Sequence, residues 1–175
     1  MKIILIVATS ANGYIAQDEQ DKINWTSTED RRLFADITKE AGVVVMGNTT
    51  YKTLKGPLVD RLTIVMSRHS QHSQPGIVEF THNTPQEIIS SLEKRNFSTV
   101  CIAGGSQIYS LFLSTNLVNE IWITINPVVF AKGIPLFNAS IPLTSLQLVE
   151  HRLLTPSSLF VRYAITTEGR QSGTQ

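Results

Sequence analysis

Short apolar runs separated by amphipathic stretches are the feature that most limits how this chain can fold. Most of the runs show no alternation of apolar and polar residues, which is typical of parallel strands buried on both faces. Because parallel neighbours need crossover connections, the stretches between them should be helices. The predicted strands occupy residues 3–9, 42–47, 62–67, 76–80, 99–105 and 120–129.

The stretches between the runs carry the signals of helix starts. Ser27 or Thr28 can cap a helix whose first turn is acidic. Thr84 precedes Pro85, which is the usual arrangement of an N-cap followed by a first helical residue. Helices are predicted over residues 27–42, 48–54, 83–97 and 105–114.

The C-terminal third has a different pattern. Residues 146–154 and 158–168 alternate apolar and polar side chains, as an antiparallel pair does. The prediction is an α/β fold: a mixed, mostly parallel sheet with an antiparallel C-terminal edge and helices on both faces. We expect one domain over residues 1–167, followed by a flexible polar tail at 168–175.

Composition excludes several classes of function. A formal charge of +1 gives no long-range attraction to nucleic acid or acidic membranes. Cys101 is the single cysteine and lies in an apolar run, so we expect neither a disulfide nor a cysteine-rich metal site. The histidines at 69, 72, 82 and 151 have no metal-ligand spacing and are interpreted as surface or structural residues. No stretch approaches the roughly 20 apolar residues of a membrane span, and we expect a cytoplasmic protein.

Two predicted strands end in glycines that lead into helices, at Gly47 and at the pair Gly104 and Gly105. A glycine pair fits a tight turn with close packing, and it also fits a phosphate held by amides at a helix N-terminus. Ser67 and Arg68 end a third strand at the same rim. Together these positions suit a ligand with several phosphates, such as a dinucleotide.

Taken together, these features resemble the dihydrofolate reductase family, which includes the riboflavin-pathway pyrimidine reductase domain. The resemblance covers about residues 1–165 and follows the family's motif order. It is carried by the segments "ATSANGYIA", "INWTSTEDRRLF", "VVMGNTTYKTLKGPLVDR", "IVMSR" and "IAGGSQIY".

The resemblance implies NADPH as the cofactor and reduction of dihydrofolate to tetrahydrofolate, a step of one-carbon metabolism. It implies that Gly104 and Gly105 approach the pyrophosphate and that Arg68 reads the 2′-phosphate. The cofactor-binding residues that it implies are Ala8, Ile15, Gly47, Asn48, Thr49, Thr50, Ser67, Arg68, Gly104, Gly105, Ser106, Gln107, Ile108 and Tyr109.

By the same resemblance Asp30 pairs with the pterin, assisted by Trp25 and Thr124 as further catalytic residues. A carboxylate can accept two parallel hydrogen bonds from the ring, although an acid in the first turn also suits a helix N-terminus by itself. Arg61 matches the arginine that holds the folate α-carboxylate. The implied substrate-binding residues are Ile6, Val7, Ala8, Asp30, Phe34, Leu54, Arg61 and Ala103.

Three segments depart from the folate reductase pattern or leave it open. Asn48 stands where many reductases have a second basic residue. Residues 17–24 occupy the place of the active-site lid, with Ile23 over the ring. Residues 126–137, "NPVVFAKGIPLF", look closer to the pyrimidine reductases.

Two alternatives to the folate reductase therefore stay open. One is the riboflavin-pathway reductase of a pyrimidine ribosyl phosphate, and the other is a dinucleotide-binding module without catalysis. The expected partners are the cofactor and a small heterocyclic substrate, and the chain is expected to be a monomer or a homodimer.

Overall fold

The computed structural model describes residues 1–54, 56–69, 72–138 and 141–166. Strands and helices alternate over most of this part of the chain. In chain order they are β1 (Lys2–Ser10), β2 (Tyr14–Ala16), α1 (Thr28–Ala41), β3 (Val43–Gly47), α2 (Asn48–Thr53), β4 (Leu62–Met66), β5 (Val78–Thr81), α3 (Pro85–Lys94), β6 (Thr99–Ile102), α4 (Ser106–Ser114), β7 (Glu120–Asn126), β8 (Ile134–Pro135), β9 (Leu146–Leu153) and β10 (Leu159–Ile165).

An eight-stranded sheet forms the centre of the fold, in the order β5-β4-β3-β6-β1-β7-β10-β9. The strands from β5 to β7 are parallel, whereas β10 pairs antiparallel with both β7 and β9. The predicted mixed sheet with an antiparallel C-terminal edge is confirmed.

Helices cover both faces of the sheet, as predicted. On one face Phe112 of α4 and Leu92 of α3 pack against the strands, whereas Phe34 and Ile37 of α1 pack on the other. Cys101 is fully buried in the apolar cluster on the α1 face of the sheet. Burial raises the pKa of its thiol to about 12. Burial on two faces explains why the strands read as continuous apolar runs.

The predicted helix starts are confirmed in detail. The Ser27 hydroxyl accepts a hydrogen bond from the Asp30 amide and so caps α1. The Thr84 hydroxyl and the Glu87 carboxylate form a reciprocal capping box at α3. Gly42 ends α1 in the left-handed conformation that favours glycine.

A second, two-stranded sheet of β2 and β8 was not predicted. Gly133 allows β8 to approach β2, because a Cβ at this position would lie 2.5 Å from the Ala16 carbonyl oxygen. Strands of two or three residues are too short to show a hydrophobic period, so the sequence gives no signal for them.

Several predicted boundaries differ from the observed ones. The predicted strand 120–129 ends at Asn126, before Pro127, and the predicted strand 99–105 ends at Ile102, where the chain leaves the sheet for its glycine turn. The predicted tail lies outside the described residues. Within the described ranges, no helix has the length and apolar character needed to cross a bilayer.

Candidate active site

A long cleft of about 1430 Å³ crosses the carboxyl ends of the central strands. Its volume exceeds the roughly 300–1,000 Å³ of a typical small-molecule pocket, so it has room for two ligands side by side. All the substrate- and cofactor-binding residues predicted from the sequence line this cleft, and so does Thr124. Trp25 is the exception and is described below.

Asp30 lies in the first turn of α1 and is only 8% exposed. Burial raises the pKa of its carboxyl, and hydrogen bonds from the Thr124 and Thr26 side chains and the charge of Arg31 oppose that rise. The Arg31 guanidinium donates to the Thr26 carbonyl at 2.9 Å and to the Thr28 hydroxyl at 3.2 Å. The carboxyl is therefore able to hold a proton at a higher pH than an exposed aspartate.

Thr124 reaches Asp30 from the sheet. It lies in β7, where it pairs with Ala8 of β1 on one side and with Phe160 of β10 on the other. Its side chain is buried. The helix acid and the strand hydroxyl thus converge from two separate elements, each fixed by its own backbone hydrogen bonds.

The wall beyond Asp30 is apolar and ends at a cation. Phe34 follows Asp30 by one helical turn, and Leu54 lines the same part of the cleft. Arg61 donates to the Val59 carbonyl at 3.0 Å, to the Ala35 carbonyl at 3.1 Å and to the Thr38 hydroxyl. Burial lowers the pKa of Arg61. These bonds fix the guanidinium against α1 at the margin of the cleft.

The glycine turns at the opposite side contact each other. The Gly47 amide donates to the Gly104 carbonyl at 2.7 Å, and the Gly104–Gly105 peptide bond is cis. A Cβ on Gly104 would lie 3.1 Å from the Tyr109 hydroxyl, and one on Gly105 would lie 3.1 Å from the Thr50 hydroxyl. The positive φ of 104° at Gly104 also favours glycine. The protein's own backbone and side chains thus restrict both positions, and the case for a phosphate depends on the neighbouring helix start.

The start of α4 presents polar groups to the cleft. Gly105 is the N-cap residue, so no side chain caps the first amides, which carry the positive end of the helix dipole. The Ser106 hydroxyl is buried and has no hydrogen-bond partner among the described residues. A buried hydroxyl beside uncapped amides is suited to an anionic oxygen.

Two histidines line the cleft, although the sequence analysis predicts surface or structural roles for them. His69 and His82 line it together with Arg68. The ends of β4 and β5 are joined by a bond of 3.0 Å from the Ser67 amide to the Thr81 carbonyl, so the residues that follow both strands share one rim. The ends of parallel strands share one rim, so the strand that precedes His82 is the sequence signal that places this histidine beside Arg68.

The segment predicted to form a lid, residues 17–24, is held together by hydrogen bonds to the Asp21 carboxylate. This carboxylate accepts hydrogen bonds from the Gln17 amide at 2.8 Å, the Ile23 amide at 2.7 Å and the Trp25 indole at 3.1 Å. Ile23 lines the cleft and adopts a φ of 53°, which is unusual for a β-branched residue.

Trp25 does not line the cleft, so its catalytic role stays a prediction. Its ring packs edge-on against Phe130 with centroids 5.3 Å apart. The Asn12 side chain holds the Phe130 backbone by two hydrogen bonds, of 2.8 and 3.2 Å. Segment 126–137 is therefore linked to Asp21, in the segment predicted to form a lid, through the Trp25 ring.

Comparison with known proteins places these features in context. The family described as Dihydrofolate reductase matches residues 2–130 of the chain. The Bacillus subtilis (strain 168) protein YwjB, described as uncharacterized, is 28% identical over 155 residues, which is 84% of this chain and 88% of that protein.

Two solved structures have the same fold. A pyrimidine reductase-like protein from Corynebacterium diphtheriae has a TM-score of 0.75 at 20% identity, over 94% of this chain and 92% of that one. Dihydrofolate reductase from Enterococcus faecalis, complexed with NADP(H) and RAB-propyl, has a TM-score of 0.75 at 18% identity, over 94% and 96%. At such identities the likeness shows the fold alone.

Proposed function

Because this chain belongs to the dihydrofolate reductase family, we propose that it is an NADPH-dependent reductase that converts 7,8-dihydrofolate to 5,6,7,8-tetrahydrofolate by direct hydride transfer. The observation that carries the proposal is the buried Asp30 carboxyl, which shares one cleft with the uncapped start of α4. One wall of the cleft thus offers a protonatable acid, and the other offers groups for phosphate oxygens.

The residues at the α4 side fit the cofactor. The uncapped amides and the unpartnered Ser106 hydroxyl would hold the pyrophosphate, and Arg68 with His69 and His82 would face the 2′-phosphate. When bound, NADPH supplies the hydride, and the protein supplies binding and orientation. Asn48 lines the same half of the cleft without adding a positive charge.

The residues at the Asp30 side fit a neutral, flat heterocycle. The carboxyl would accept two parallel hydrogen bonds from the pterin's amino and ring N–H groups, with Thr124 fixing its orientation. Since burial raises its pKa, Asp30 would exchange a proton at a higher pH than an exposed aspartate does. Its protonated form would act as the acid for the proton gained at N5, and its ionised form would accept the two ring hydrogen bonds. Phe34 would stack on the ring, and Arg61 would meet the glutamate carboxylate.

A riboflavin-pathway pyrimidine reductase is the second candidate. Segment 126–137 favours it, and so does the position of the cations. Arg61 already donates to its own protein through Nε and one terminal nitrogen, and Arg31 does so through both terminal nitrogens. Lys22 also lines the cleft and offers charge to a ribityl phosphate.

One assay separates the candidates: oxidation of NADPH, followed by the absorbance of the reduced nicotinamide. It is run with dihydrofolate, with the 5-amino-6-ribosylamino-uracil phosphate, and with neither. The proposal predicts turnover with dihydrofolate alone. Turnover only with the pyrimidine transfers the function to the second candidate. NADPH binding without turnover on either substrate identifies a non-catalytic module.

A further inference from the structure

Thr26 connects the proposed acid, Asp30, to Ile23 in the segment predicted to form a lid. Thr26 is only 6% exposed, and it lines the cleft together with both of these residues. Its hydroxyl donates to the Ile23 carbonyl at 3.3 Å, and its side chain also hydrogen-bonds the Asp30 carboxyl. One buried side chain thus meets both the acid and a residue predicted to cover the ring.

A threonine hydroxyl has one proton, so it cannot donate to both acceptors at once. The bond of 3.3 Å to Ile23 is longer than the roughly 2.7–2.8 Å that hydroxyl donors favour. Thr53 and Thr115, in contrast, each donate to the carbonyl three residues earlier at 2.7 Å. The bond from Thr26 is therefore weak enough for its hydroxyl to exchange one acceptor for the other.

The backbone around this hydroxyl is fixed. The Arg31 guanidinium donates to the Thr26 carbonyl at 2.9 Å, and the Asp30 amide donates to the Ser27 hydroxyl at 3.0 Å. Rotation of the Thr26 hydroxyl about its Cβ–Oγ1 bond therefore moves the proton from one acceptor to the other while the backbone stays in place.

Ile23 depends on its hydrogen bonds because its backbone is strained. Its φ of 53° lies in the left-handed region, which is costly for a β-branched residue. The Asp21 carboxylate accepts from the Ile23 amide at 2.7 Å, and the Thr26 hydroxyl donates to the Ile23 carbonyl. Two side chains thus hold this residue from the two ends of its backbone, and the loss of either should loosen it.

The charged and titratable groups around Asp30 come from several elements. Arg31 follows it in α1, and residues 18–22 bring both signs of charge to the cleft. Tyr109 reaches it from α4, and burial and the charge of Asp30 raise the pKa of this phenol. The side chain that β7 contributes, Thr124, is uncharged. Because arginine stays charged and a buried phenol stays neutral, Asp30 is the group that changes charge among those of α1, α4 and β7 that meet here.

We propose that Thr26 is a positioning residue whose hydroxyl donates to the Ile23 carbonyl when Asp30 is protonated and to the Asp30 carboxylate when Asp30 is ionised. In the protonated form the carboxyl O–H donates to Thr26 Oγ1, which leaves the threonine proton for Ile23. In the ionised form the carboxylate takes a stronger, charge-assisted bond, and the Ile23 carbonyl loses its donor. Residues 17–24 are thus held most firmly while the acid carries its proton. The consequence for turnover rests on the proposed function, whereas the exchange of hydrogen bonds does not.

Carbon NMR of the full chain without ligand tests the exchange over a pH titration. In the wild type, the Ile23 carbonyl signal should titrate with the same midpoint as the Asp30 carboxyl signal. Thr26→Val keeps the shape of the side chain and removes the hydroxyl, so the step at Ile23 should disappear. The Asp30 midpoint should then move to higher pH, because the hydrogen bond from Thr26 opposes the effect of burial. Thr26→Ser keeps the hydroxyl and is the matched control, which should preserve the step and the midpoint.

Asp30→Asn identifies the step that belongs to Asp30, since the Asp21 carboxylate also bonds Ile23. An Ile23 carbonyl that does not follow Asp30 in the wild type overturns the proposal, and so does a step that survives in Thr26→Val. If circular dichroism shows that Thr26→Val does not fold, Thr26→Ala repeats the test.

Turnover is measured separately, so that the two proposals can fail independently. With dihydrofolate, the decline of kcat with rising pH should move to higher pH in Thr26→Val and stay in place in Thr26→Ser. A pH profile that is the same in the wild type and in Thr26→Val contradicts the role of Thr26 in turnover. A wild-type chain without turnover on dihydrofolate rejects the proposed function, and the NMR titration alone then decides the exchange.

Discussion

The floor and the lid of the cleft are held in different ways. On the floor, Asp30 and Thr124 belong to a capped helix and a central strand, and each position is fixed by regular backbone hydrogen bonds. On the lid, Ile23 reaches the cleft from a loop that one carboxylate, Asp21, ties together. Because the proposed chemistry takes place at the floor, substitutions there should affect turnover more than substitutions in the lid segment.

The largest expected effect is at Asp30. Asp30→Asn removes the only acidic group that the proposed mechanism places at the heterocycle, while the amide preserves its size. We expect kcat to fall by about 10²–10⁴, the usual contribution of a general acid or base. Fluorescence titration with NADPH should give an affinity close to that of the wild type. A variant with nearly normal kcat would remove Asp30 from the mechanism.

The next effect is expected at the far end of the apolar wall. Arg61→Lys keeps the charge but removes the planar fork that suits a carboxylate. Steady-state kinetics should show KM for dihydrofolate raised by about tenfold, a loss of about 1.4 kcal/mol, with KM for NADPH unchanged. Equal changes in both KM values would mean that the arginine only supports the fold through Ala35 and Thr38.

A smaller effect is expected at the lid. Asp21→Ala removes three hydrogen bonds, of which the one from the Ile23 amide positions the residue that lines the cleft. We expect kcat/KM to fall by about fivefold, since one net hydrogen bond contributes about 1 kcal/mol. Independently of activity, trypsin should cleave faster after Lys22 in the loosened loop. Asp18→Ala is the control: it removes a carboxylate from the same loop, and the Asp18 carboxylate accepts a hydrogen bond from the Gln20 amide at 2.8 Å. If both variants behave alike, the loss of charge rather than the link to Ile23 is responsible.

The smallest effect concerns stability. Because burial raises the folded-state pKa of Asp30, the folded chain binds this proton more tightly than the unfolded chain. The free energy of unfolding therefore loses this contribution as pH rises from about 3.9 through the raised pKa. Urea unfolding should show Asp30→Asn to be more stable than the wild type at neutral pH, with the difference disappearing in acid. A constant difference across pH would show that the carboxyl is not strained by burial.

Local signals predicted the floor well. The caps at Ser27 and Thr84 depend on neighbouring residues, and the parallel strands depend on continuous burial, so both were readable from short stretches. The cleft positions followed from strand ends that share one edge. The roles assigned to Asp30, Thr124 and Arg61 are carried by resemblance, and they remain predictions.

The lid and the rim depended on contacts between distant parts of the chain. Trp25 packs on Phe130, and the Asn12 side chain donates to the Phe130 carbonyl. These contacts lie beside the paired strands β2 and β8, which are too short to show a hydrophobic period. His82 joins Arg68 only because β4 and β5 are in register. The Gly104 and Gly105 positions illustrate the same limit, since packing against Tyr109 and Thr50 produces the same sequence signal as a phosphate.

The most direct measurement is a crystal structure of the chain with NADP⁺ and folate. We expect pyrophosphate density at the first amides of α4 and the Ser106 hydroxyl, with the heterocycle hydrogen-bonded to the Asp30 carboxylate. Density for the dinucleotide elsewhere, or a ring that contacts neither Asp30 nor Thr124, would contradict it.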